Sequence, residues 1–400
     1  MKPFALPVPR VASLGLRLVL LSLCVLPAVL RAAAEPAAIR LERTPDGGLQ
    51  PQALVDSAGT THLIYFKGTP AGGDLYYVRR TKEAARFSPP LRINQEPGSA
   101  IAVGTIRGAQ LALGRGNRVH VVWNGGAGAT KPKLGEKAFT PLLYTRLNAA
   151  GTAFERERNI IRSAPGLDGG STVAADNLGH VLVAWHAPRP GNTNGEAGRT
   201  VFVARSADDG ATFAAETPAI SEPTGACACC GMKGMATREG ALCLLFRSAA
   251  TQDLRSETVL VARSPEAPFE IAESHPWKIN TCPMSSATLS EAPGGFLAAW
   301  ETAGQVYFAR VDPKSGRVTT PAAAPGMTKK KHPVAASNSR GEQLLVWTEG
   351  TGWSRGGAVA WQLFDAEGKP TEKKGRADGV PVWGLATAFA TPDGSFTIVY

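Results

Sequence analysis

Seven short apolar stretches, each ending in an aromatic residue, recur along the chain: His62–Phe66, His120–Trp123, Val181–Trp185, Cys243–Phe246, Phe296–Trp300, Leu344–Trp347 and Phe396–Tyr400. Their aromatic ends are spaced by 57, 62, 61, 54, 47 and 53 residues. Apolar runs of this length, bounded by turn signals, suit strands and are too short for helices. A repeat of roughly 50 residues, with several short strands in each unit, is the signature of a β-propeller. The composition agrees with this. Gly (44) and Pro (30) are abundant in the 400 residues, while the hydrophobic fraction is an ordinary 44%. That combination suits many turns around a buried core and argues against disorder or a coiled coil. The length therefore describes one large repetitive domain rather than two or three ordinary ones.

Each run follows a shorter small-residue strand and a turn, as at Ala174–Gly179 and Ala390–Gly394. A second apolar strand follows the first five runs and ends each time in arginine: Leu75–Arg79, Leu143–Arg146, Val201–Arg205, Val259–Arg263 and Val306–Arg310. The sixth unit has Ala358–Phe364 in its place, and a fourth strand such as Pro90–Ile93 closes each unit. The unit is thus four strands, A to D. The five arginines share one register, which points to a structural role at the blade edges. The seventh unit stops at Tyr400 after strands A and B, while Ile39–Arg43 has no strands A to C before it. This strand is expected to complete the last blade, closing the ring and removing an exposed sheet edge. Six full blades and one stitched blade is the expected all-β architecture; a six-bladed ring with a decorated terminus is the alternative.

Between strands C and D of the third unit lies Ser206-Ala-Asp208-Asp209-Gly210-Ala-Thr-Phe213, which matches the Asp-box pattern S-x-D-x-G-x-x-[FW]. Arg80–Phe87 and Leu147–Phe154 are eroded versions in register. On these residues the chain resembles the sialidase-like, or BNR-repeat, β-propellers. Within the box, Asp208 is expected to accept hydrogen bonds from turn amides. Gly210 supplies a positive φ, and Phe213 anchors the turn between sheets. The resemblance implies a glycan-directed propeller with exo-sialidase-type hydrolysis as its enzymatic form: three arginines on a carboxylate, a Tyr nucleophile helped by Glu, and an Asp acid/base. The chain has no Arg-Ile-Pro stretch for the first arginine. Its nearest string, Arg92-Ile93-Asn94, lies in a strand D, so none of the catalytic set transfers residue by residue.

Residues 1–34 carry Lys2, Arg10, Arg17 and Arg31 without an acid, a 13-residue apolar run from Leu18 to Leu30, and Ala32-Ala33-Ala34. This is the pattern of a signal peptide, leaving 35–400 as a single propeller domain of a periplasmic or secreted protein. The run is too short for a membrane span. The formal charge of +10, four units of it in the leader, is too scattered for nucleic-acid binding, and Lys329-Lys330-Lys331 is expected to be a solvated loop. The expected partners are a glycan or other small polar ligand, with a protein partner as a further candidate and a monomer as the expected state.

In a propeller the D–A and B–C loops share one face. The residues just after each strand B fall on it: Lys67, Asn124, His186, Arg247, Glu301 and Glu349. A ring of different polar groups at one position suits a polar ligand at the channel mouth, although solvation of strand ends is the plainer account of most of them. Arg247 and Glu301 are the candidate catalytic pair, since an arginine fork suits a carboxylate and a glutamate can act as acid or base. The B–C insertions at Asn124–Pro141, His186–Arg199 and Glu349–Gly357 mark the same face.

Five cysteines follow the leader. Cys227, Cys229 and Cys230 lie in the D–A loop entering unit four, Cys282 lies in the loop entering unit five, and Cys243 starts a strand B. Two outcomes are open. In an oxidising compartment Cys282 would bridge to the Cys227–Cys230 loop, with a second bridge through Cys243. Alternatively, the thiolates with Met232, Met235, Met284 and His332 would hold copper or zinc. The second outcome makes the protein a soft-metal binding or metal-partner module; a plain protein-interaction scaffold is the third option.

Overall fold

The computed structural model describes residues 1, 3–9, 37–327 and 329–400. Residues 1 and 3–9 form no regular element. The expected signal peptide otherwise lies outside the described residues. From Ala37 to Tyr400 the chain forms one compact unit. It holds seven radial sheets: six of four strands, and a seventh of three. No helix among the described residues is long and apolar enough to cross a membrane.

Each aromatic-ended run is a strand B. Blade three shows the pattern: A is Ser171–Ala175, B Val181–Pro188, C Arg199–Ser206 and D Thr217–Pro218, all antiparallel in that order. Strand B reads as a continuous apolar run because both faces of the sheet are covered by neighbouring blades, so alternation has no purpose there. Leu242–Ser248 in blade four is buried at every position. Each of the seven blade interfaces has its own cluster of buried side chains. The terminal aromatic rings also hold the loop face. Trp123 Nε1 donates to Ser99 O (3.2 Å) and Trp185 Nε1 to Ala164 O (3.1 Å), in each case to the loop leading into that blade.

The strand-C arginines act across blade boundaries. Arg146 donates to Asp209 O, Arg205 to Pro265 O, Arg263 to Lys314 O and Arg310 to Gly341 O, each acceptor lying in a turn of the next blade. The Ser206–Phe213 turn takes the conformation its residues dictate. Asp208 Oδ1 accepts from Thr212 N at 2.8 Å, Ser206 Oγ accepts from Gly210 N at 2.9 Å, and Gly210 has φ +76°. Phe213 meets Tyr144 of blade two edge-on at 4.9 Å.

The N-terminal strand closes the ring in the last blade, as expected from the sequence. Ile39–Glu42 pairs in parallel with strand B of blade seven, Phe396–Val399, so this blade has three strands. The reason is directional. In every blade A and C run one way, B and D the other. A strand that leads into strand A of blade one (Leu49–Val55) must run as a D strand does. With no strand C present, it lies directly on strand B, parallel to it.

Candidate functional site

The loop leading into blade four is fixed by backbone bonds from several directions. Cys227 N donates to Arg247 O (2.9 Å), Gly170 N to Cys230 O (2.9 Å) and Gly231 N to Ser285 O (2.8 Å), while Ala228 N donates to the Glu196 carboxylate. These ties bring four sulfurs together. Cys229 and Cys282 form a disulfide joining blades four and five, with Cα atoms 6.4 Å apart. Beneath it, Cys227 Sγ lies 3.4 Å from Cys229 Sγ and 3.4 Å from Cys230 Sγ. Cys227 and Cys230 are free thiols, 1% and 2% exposed. The hydrogen bond from Cys230 lowers the Cys227 thiol pKa, while burial raises that of Cys230. The ligand atoms of Cys227, Cys229 and Cys230 are close enough for a cluster that could hold a metal. Cys243 does not join it. Its thiol is free and buried between blades four and five, at the far end of the hairpin, so the expected second bridge is not formed.

Arginines gather under this loop, each engaged from within. Arg247 pairs with Glu257 at 3.1 Å, donates to Glu301 O, and lies 5.2 Å over the Trp277 ring. Both side chains of the pair are 2% exposed. Burial pushes the Glu257 carboxyl up to about 7, against the pull of Arg247. Arg199 donates to Gly166 O (2.7 Å) and to His186 Nδ1, and Arg255 pairs with Glu196. Burial, with Arg199 adding to it, takes His186 down to about 3. Several buried polar atoms here have no hydrogen-bond partner among the described residues: Arg247 Nε and Nη1, Glu257 Oε1, Glu301 Oε2, Ser285 Oγ and His186 Nε2.

A cleft of about 110 Å³ opens on the same face, beside the disulfide. One wall is Cys282, Pro283 and Met284; the other includes Trp353, Arg355 and Trp383, with Lys331 and His332 between. Trp353 comes from the B–C insertion of blade six. It meets Trp383 edge-to-face at 4.8 Å and is 57% exposed. Lys331 Nζ donates to Pro283 O at 2.9 Å and Arg355 is exposed. The described residues lining the cleft include no Asp, Glu or Tyr.

The other residues singled out from the sequence are spread around this centre. Lys67 is exposed, 4.0 Å from Asp46. Asn124 is buried, bonded to Gly169 O and Ser171 Oγ. Glu301 is buried, with Oε1 on Gly304 N. Glu349 accepts from Trp347 Nε1 at 2.8 Å. Met232 packs into the core between blades three and four, while Met284 and His332 line the cleft. His332 Nδ1 meets Ser286 Oγ at 2.9 Å, and burial, with Lys331 adding to it, takes its pKa down to about 3. Trp353, Trp383, Arg355 and Glu257 were not anticipated. For Trp353 the signal existed, an aromatic inside a Gly-rich B–C insertion. For Glu257 there was none, because its partner comes from a facing strand.

No family model matches the chain, and no curated protein matches it. Similar solved structures include a protein of unknown function from Dyadobacter fermentans, at 16% identity and TM-score 0.47, covering 73% of this chain and 93% of that one. A Hadza microbial sialidase shares 16% identity at TM-score 0.49, covering 78% and 68%. A fungal alcohol oxidase of the AA5 family, in complex with copper, shares 13% at TM-score 0.49, covering 87% and 69%.

Proposed function

We infer that the protein recognises an anionic saccharide in the cleft between Trp353 and the Cys282–Met284 loop, and binds it without cleaving it. The observation that carries this reading is the exposed Trp353 ring, braced by Trp383 and flanked by Lys331 and Arg355. An indole face packs on the C–H face of a sugar, and the two cations favour a carboxylate on it. Hydrolysis would need two carboxylates, or a Tyr nucleophile with its helpers, at the scissile bond. Among the described residues the cleft lining offers neither, and Arg247 and Glu301 are buried beneath the surface. The leader composition of residues 1–34 supports a place outside the cytosol for this activity.

The test is calorimetric titration with 3′-sialyllactose and with lactose, alongside a fluorogenic sialoside. The expected result is binding of the acidic sugar above the neutral one, at least tenfold weaker in Trp353→Ala, with no product released. Equal binding by wild type and Trp353→Ala, or turnover of the sialoside, would overturn the reading.

A further inference from the structure

We propose that Cys227 and Cys230 form a two-thiolate Cu(I) site, closed over by the Cys229–Cys282 bridge and charge-balanced by Arg247. The geometry comes first. The two thiols are 3.4 Å apart, buried, and carried on a loop whose backbone is held at Cys227 N, Ala228 N, Cys230 O and Gly231 N. Little ordering is left for a metal to impose, which favours binding.

The donor set then selects the metal. Thiolates favour soft ions, and Cu(I) is the soft first-row ion. Structural zinc takes four protein ligands in a tetrahedron. With Cys229 and Cys282 joined to each other, two thiols remain at this point; His186 accepts from Arg199 at Nδ1, so the other ring nitrogen carries the proton and offers no lone pair. Two-coordinate binding is open to Cu(I) and leaves zinc half-ligated.

Charge is the third part. Two thiolates and one Cu(I) carry a net −1, which a buried site tolerates only beside a cation. The backbone carbonyl of Arg247 accepts from Cys227 N, and its guanidinium, besides pairing with Glu257, keeps Nε and Nη1 without a hydrogen-bond partner among the described residues. Ser285 Oγ, also without one, is on the residue whose carbonyl holds Gly231. The binding step balances simply. Cu(I) enters as Cu(I), two S–Cu bonds form, and the two thiol protons leave to solvent, so no oxidant or reductant is consumed.

The experiment titrates the purified, folded, disulfide-intact protein anaerobically with Cu(I) against bathocuproine disulfonate. One equivalent per chain should be retained. X-ray absorption should show sulfur ligands only, two per copper. Cys227→Ser and Cys230→Ser should each weaken retention at least a hundredfold, while Cys243→Ser leaves it unchanged. Should either serine variant fail to fold, the X-ray absorption spectrum of folded wild type decides, since it counts the sulfur ligands without any substitution. Retention in a Cys229→Ser/Cys282→Ser variant supports the two-thiol site. Loss of copper there, tighter binding of zinc than of Cu(I), or no retained copper in the wild type would each overturn it. None of these outcomes depends on whether the cleft binds a saccharide.

Discussion

Replacing Arg247 with Met separates a structural arginine from a ligand-holding one. In the fold Arg247 and Glu257 are 3.1 Å apart, each side chain 2% exposed. Removing one partner of such a pair leaves an uncompensated buried charge and costs about 3–5 kcal/mol. The cost has a characteristic pH dependence. Wild-type Glu257 titrates near 7 in the fold, above the 4.5 of an unperturbed glutamate. A raised carboxyl pKa means that stability is lost as pH climbs from the unfolded value and levels off above the folded value. Without Arg247 the folded pKa rises further, so the loss continues past 7. Wild type and variant therefore run in parallel below about pH 7 and diverge above it, by up to about 1.4 kcal/mol for each pH unit. Urea unfolding at pH 6, 7.5 and 9, followed by tryptophan fluorescence, measures this. Arg247→Met/Glu257→Gln should remove the divergence. A single-variant loss below about 1 kcal/mol, flat from pH 7 to 9, would refute the buried-pair account and return Arg247 to the list of ligand-binding groups.

Reducing the Cys229–Cys282 bridge, whose cysteines are 53 residues apart, should lower stability by up to about 4 kcal/mol on the loop-entropy account; equal urea midpoints with and without reductant would contradict it. Gly210→Ala should cost about 1–3 kcal/mol in the same assay, because φ is +76° and an added Cβ would collide with the Tyr144 hydroxyl. Lys233 lines the central channel, buried with Gln110 as its hydrogen-bond partner among the described residues, and burial takes its pKa from 10.5 to about 8. Its charged form is therefore penalised at pH 7 by roughly 3 kcal/mol, so Lys233→Met should stabilise by about 2 kcal/mol after the lost hydrogen bond, with the gain fading between pH 8 and 10.5. A variant less stable than wild type at pH 7 would count against that burial cost.

The ring was legible because propeller repeats write their structure locally. A strand packed on both faces has to be apolar throughout, so Val181–Trp185 and Leu344–Trp347 announce themselves without any knowledge of their neighbours. The strand-C arginines were legible for a related reason. A residue repeated at one register meets the same neighbour each time, and Arg146, Arg205, Arg263 and Arg310 all reach a turn of the next blade. The parallel closing strand needed one fact more, the direction of travel imposed by the strand that follows it.

The site was legible only where topology alone decides proximity. Cys229 and Cys282 sit in successive D–A loops, and such loops are neighbours on one face, so their meeting follows from the repeat. Arg247 and Glu301 also follow successive strands B, yet position in the repeat does not say where a long side chain turns. Arg247 turns inward because Glu257, its cross-strand partner, is buried opposite it, and a buried carboxylate draws the nearest guanidinium. Trp353 turns outward because the short Gly352–Arg355 bridge holds the tip of its loop in solvent, where Trp383 reaches it from the next blade. Trp353 and Trp383 come from segments with no fixed sequence relation, and Arg247 meets Glu257 only through the register of a hairpin whose loop length differs from blade to blade. For such pairs, strand order names the candidates, and only side-chain geometry separates the arginine that holds the fold from the tryptophan that offers a surface.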